Sequence, residues 1–138
     1  MNIKPKTIAI GFVIAGLMNF SVLVFSKGFN NPVINATDPD VMSNFGLIMI
    51  MIWGLAYIST AKTYHHVKWL VAVFAIEKLI YGVIWTCWMI DNSVSEVFEK
   101  DALAGAFYSI YGINDWTFFL FFLMVFIHLQ TSSYNTLN

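Results

Sequence analysis

The sequence predicts an all-α integral membrane protein: a single four-span helical bundle with N and C termini cytoplasmic. Three observations carry this. The chain has 138 residues, 59% hydrophobic and only 11% charged, where soluble domains run at roughly 25% charged. Its mean hydropathy is +0.71, more apolar surface than a soluble core of this size can hide. The apolar residues also gather into four runs separated by polar stretches.

The first run, residues 8–25, spans about 27 Å as a helix, close to the ~30 Å of a hydrocarbon core. Lys4 and Lys6 precede it in the manner of a signal peptide. The run is longer than a signal core, lacks an A-x-A site and leads to three more runs, so it is expected to stay as a span. The second covers residues 45–61, and "TDPD" offers an earlier helix start with Asp38 as N-cap and Pro39 in the first turn. The third, residues 69–90, carries Glu77 and Lys78 in mid-run. The fourth covers residues 104–129. It is either one helix, bent at Gly112, or a helix broken at "YGIND" with Asp115 capping a shorter one; the continuous form is the working expectation. The tail "QTSSYNTLN" reads as polar and mobile.

Lysine placement sets the orientation. Lys4, Lys6, Lys62 and Lys68 fall on one side, Lys27 and Lys100 on the other. The richer side is cytoplasmic, which makes this a multi-pass protein of, in the expected case, the bacterial inner membrane. The seven cations are all lysine, which argues against nucleic-acid or phosphate recognition, where the planar guanidinium is favoured. A lone Cys87 allows no intrachain disulfide. No phosphate loop, nucleophile elbow or metalloprotease motif is present. His65, His66 and His128 read as interface residues, and no cofactor is implied.

The charges within the oil hold the functional signal. A central charge costs ~2.5–3.5 kcal/mol on an insertion scale, so Glu77 with Lys78 cost roughly 5–7 kcal/mol. The Leu, Ile, Val and Phe residues of that run return about 3–6 kcal/mol, leaving the segment near neutral and in need of partners. Asn19 and Asp115 lie at similar depth on other helices. Lys78 with Asp115, and Glu77 with Asn19 or a tyrosine, are the expected pairs.

Helical spacing adds stripes: Glu77, Tyr81, Trp85 and Trp88; Tyr108, Tyr111 and Asp115; Trp53, Tyr57 and Tyr64; and the small-residue face Gly11, Ala15, Asn19. The candidate ligand site is therefore Glu77, Lys78, Asp115, Asn19, Tyr81, Tyr111, Trp53, Tyr57 and Trp85, suited to a hydrophobic or cationic small molecule. Two other readings stand beside it. The charges could only lock the register of an accessory subunit that docks on a membrane-protein partner or a second copy. A membrane enzyme using Glu77 or Asp115 as acid and base is the third.

The stretches "FSKGF", "DPDVMSNFG", "IWGLAYIS" and "YGINDW" resemble a group of small four-span bacterial membrane proteins of no known activity. That resemblance implies a fold and no functional residue. Size and span count are also similar to DoxX-like proteins and to the sterol-isomerase-like four-helix group, by architecture alone.

Overall fold

Pro5 starts the first helix at the position where proline's missing N–H costs nothing. In the computed structural model, which describes residues 4–135, helix α1 (Pro5–Phe20) runs almost directly into α2 (Val22–Phe25). At the joint the Ser21 hydroxyl donates to the Met18 carbonyl at 2.5 Å. Lys27, Gly28 and Phe29 then take consecutive left-handed conformations, with φ of 52°, 64° and 68°, and reverse the chain. Asn31 accepts from the Val33 N–H and caps the short α3 (Pro32–Thr37).

Helix α4 (Asn44–Thr60) begins later than "TDPD" suggests. Asp38 instead ends α3 with φ −144° and ψ 80°, and its carboxylate accepts from the Val41 N–H within a turn. Ser43 is the cap of α4, its hydroxyl accepting from the Gly46 N–H. The turn has a packing reason: it delivers Met42, fully buried, to the core. Tyr64 lies beyond α4 in a short 3-10 turn and stacks on Phe12, so it does not extend the Trp53–Tyr57 stripe. Helices α5 (Lys68–Asp91), α6 (Val94–Lys100) and α7 (Ala102–Asn135) follow. Helix α7 is unbroken through Gly112–Asp115, so Asp115 caps nothing. The expected mobile tail is helical as far as Asn135, and residues 136–138 lie outside the described part.

The regular elements are helical throughout the described residues. The stretches Pro5–Phe25, Lys68–Asp91 and Ala102–Thr131 are long and apolar enough to cross a membrane; α4 is apolar but shorter, at 17 residues. They pack as two close pairs, α1 with α4 and α5 with α7. Glycine sets the first approach: a Cβ on Gly16 would sit 2.7 Å from the Gly54 carbonyl oxygen, and one on Gly54 3.0 Å from that of Gly16. In the second pair the Trp85 ring occupies the space a Gly112 side chain would need, 1.9 Å from its ideal Cβ.

Two apolar clusters fill the interior. One holds Phe12, Tyr57, Phe74 and Phe122; the other gathers Val22, Ile34, Met42, Phe107 and Tyr108 beneath α3 and α6. The α3–α6 end is closed by polar ties. Tyr108 donates to the Ile34 carbonyl and Trp88 to that of Thr37. Asp101 accepts from Lys27 at 2.5 Å, from Asn31 at 2.8 Å, and from the Ala104 N–H at the start of α7. Those donors, the Lys27 ammonium foremost, hold its carboxyl down at about 2. The outward face of the long helices is apolar, with Ile14, Leu17, Leu55, Ile76, Ile80, Ile113 and Leu120 all exposed.

Candidate functional site

Between the two apolar clusters lie the charges. Glu77, Lys78 and Asp115 are only 6%, 2% and 5% exposed. The Lys78 ammonium donates to Asp115 Oδ1 at 2.6 Å and to Asn19 Oδ1 at 3.0 Å. Its Nζ also lies 3.9 Å from Glu77 Oε2 and 5.4 Å from the centre of the Tyr57 ring. Asn19 passes the link on, its Nδ2 donating to the Ile50 carbonyl at 2.8 Å. One ammonium therefore joins α1, α5 and α7, and Asn19 brings in α4.

Glu77 points elsewhere, as neighbours on one helix must. Its Oε2 accepts from the Tyr57 hydroxyl on α4. Its Oε1 has no hydrogen-bond partner, and neither does the buried hydroxyl of Tyr111. With all three ionised, the cluster carries one net negative charge, and the spare carboxylate oxygen belongs to Glu77.

Glu77, Lys78, Asp115, Asn19, Tyr81 and Tyr111 all line one cavity, whose walls are the first helical stretch and α7 with α5 behind. The volume open to the centre of a water molecule is about 30 Å³. Since one water needs about 10–15 Å³ on that measure, two fit. Toward the Tyr64 end the site rests on an aromatic layer. Tyr57 meets Phe74 and Phe122 with ring centres 4.9 Å apart in each case, and Phe12 meets Phe122 at 5.1 Å. A second cleft, between α4 and α5, is lined by Trp53 together with Glu77 and Tyr81, so those two side chains border both openings.

Not every expected residue is brought there. Trp85 lies outside both cavities; its indole donates to the Tyr108 carbonyl at 2.8 Å and packs over Gly112. Tyr57 does not line the cavity; from within the aromatic layer it reaches the site through its bond to Glu77 and its ring face toward Lys78. Sequence reasoning offered Glu77 either Asn19 or a tyrosine; the tyrosine, Tyr57, takes that place, and Asn19 serves Lys78. That reasoning missed Asn114, which lines the cavity and donates to Asp115 at 3.3 Å. The signal was present: a polar residue beside an acid within an apolar run. Among the described residues no group of three His, Cys, Asp or Glu side chains is placed to hold a metal ion. No family model matches the chain, and no curated protein or solved structure is similar to it.

Proposed function

We propose that this is a four-span membrane protein with both termini cytoplasmic, and that it binds a small hydrophobic molecule bearing positive charge inside the bundle, at Glu77. Membrane insertion is supported by the inverted arrangement of the surface: charges inside, isoleucine and leucine outside. The expected setting is a bacterial inner membrane, with lipid as the surrounding partner.

One observation carries the ligand reading. The cluster holds two acids against one lysine, and the unpartnered Glu77 oxygen belongs to a residue on the wall of a cavity. A cluster with one negative charge in excess is costly in hydrocarbon, and a cation from the membrane offsets it. The openings lie between helices, so such a molecule reaches Glu77 sideways from the lipid. The competing reading is an accessory subunit docking through its small-residue and aromatic faces, and the small-residue face is not free for it. Ala15 and Asn19 are buried within the chain, and Gly11 faces Phe121.

The test is ligand-induced stabilisation of the purified protein in a nonionic detergent, titrated with alkyl ammonium ions. Binding at 100 times the dissociation constant adds about 2.7 kcal/mol. Glu77→Gln is expected to lose about half of that gain or more at the same ligand concentration while the variant stays folded. Equal stabilisation of wild type and Glu77→Gln would place the ligand elsewhere.

A further inference from the structure

The cavity narrows the ligand class; this step rests on the reading just given. We infer that the site takes a primary alkyl ammonium ion, R–NH₃⁺, and rejects the quaternary trimethylammonium head.

Size is the first argument. Room for about two water-sized groups admits one –NH₃⁺ group with a neighbouring carbon or water. A trimethylammonium head, with four heavy atoms, does not fit unless the helix pairs part. Hydrogen bonding is the second. Glu77 Oε1 and the Tyr111 hydroxyl are both buried and both without a partner, and both residues line this cavity. A primary ammonium brings three N–H donors, more than the two acceptors need between them; a quaternary head brings none. Lys78 is already engaged by Asp115 and Asn19, so the incoming cation does not displace it. The third argument is the exit for the tail. Met18, Phe25 and Ile110 line the same cavity at its apolar side, and Ile110 is 38% exposed. An alkyl chain leaving between the first helical stretch and α7 stays in apolar surroundings throughout.

Octylamine and octyltrimethylammonium, titrated separately into the full-length protein in nonionic detergent, separate the possibilities. Wild type is expected to bind octylamine on the order of tenfold more tightly, the scale set by a pocket that rejects added methyl groups. Glu77→Gln is expected to weaken octylamine about ten- to a hundredfold, through loss of a charge-assisted bond. Tyr111→Phe, which removes an unpartnered hydroxyl and keeps the ring, is expected to unfold at the same point as wild type yet bind octylamine about two- to tenfold more weakly. Equal binding of the two ions, abolished for both by Glu77→Gln, overturns the head-group inference and leaves the carboxylate site standing. Failure of both to bind overturns the two together. Tyr111→Phe binding like wild type removes the hydroxyl from the site and overturns the two-acceptor argument.

Discussion

Tyr57 and Tyr111 are both buried, but only Tyr57 has its hydroxyl bonded, to the Glu77 carboxylate. Their phenylalanine variants should therefore differ. Tyr57→Phe strips Glu77 of its hydroxyl donor and is expected to cost about 1–2 kcal/mol, between the ~0.6 average for bonds between membrane helices and the larger value for bonds to charges. Tyr111→Phe loses no bond and should change stability by less than about 0.5 kcal/mol. Unfolding in mixed micelles by titrated dodecyl sulfate measures both, and equal losses would show that the two hydroxyls are equivalent. Asp101 gives a pH signature away from the buried cluster. Its folded carboxyl lies at about 2, below the ~3.9 of an unfolded chain. The stability it supplies is complete above about pH 4 and lost as the pH falls toward 2. Asp101→Asn should flatten that acid limb of a melting-point curve; an unchanged limb would assign it to another group.

At the scale of elements, glycine decides how close the helices come. A methyl group at Gly112 would overlap the Trp85 ring, with the nearest ring atom at 1.9 Å, whereas at Gly82 the nearest atom of Trp116 is 3.1 Å away. Gly112→Ala must displace Trp85 and its bond to Tyr108, and is expected to cost about 1–3 kcal/mol; Gly82→Ala should cost less than half of that. Trp85 moving out would also shift tryptophan emission, so an unaltered spectrum in Gly112→Ala would contradict the packing. These contacts mark where sequence reading stops. The apolar runs appear with ends near those expected, because length and hydropathy alone set them: residues 69–90 against Lys68–Asp91. The start of α4 was not legible. Asp38-Pro39 and Ser43 both look like caps, and the choice is made by where Met42 and Ile34 find burial. Nor was the fate of Trp85, because its spacing on α5 matches that of Glu77 and Tyr81 while the room for it lies on α7.

For the whole molecule, the legible part was depth. Residues equally far along different spans must meet at one level, which is why Lys78 and Asp115 could be paired in advance. Which acceptor each donor takes depends on helix rotation, and so the choice for Glu77 between Asn19 and a tyrosine stayed open until the structure gave it Tyr57. The central claim is that these mid-helix ions turn inward and satisfy one another, leaving one carboxylate oxygen over at Glu77. A double-mutant cycle on Lys78→Met and Asp115→Leu, read by unfolding in mixed micelles, tests it most directly. Lys78→Met leaves both carboxylates without a cation and should destabilise by about 3–5 kcal/mol. Asp115→Leu leaves Lys78 beside Glu77 and should cost less. The double variant, with Glu77 still lacking its cation, should lose less than the sum of the two, a coupling of about 2 kcal/mol or more. Single losses that are small and add to within about 0.5 kcal/mol would mean the charges do not depend on each other, and would contradict the claim.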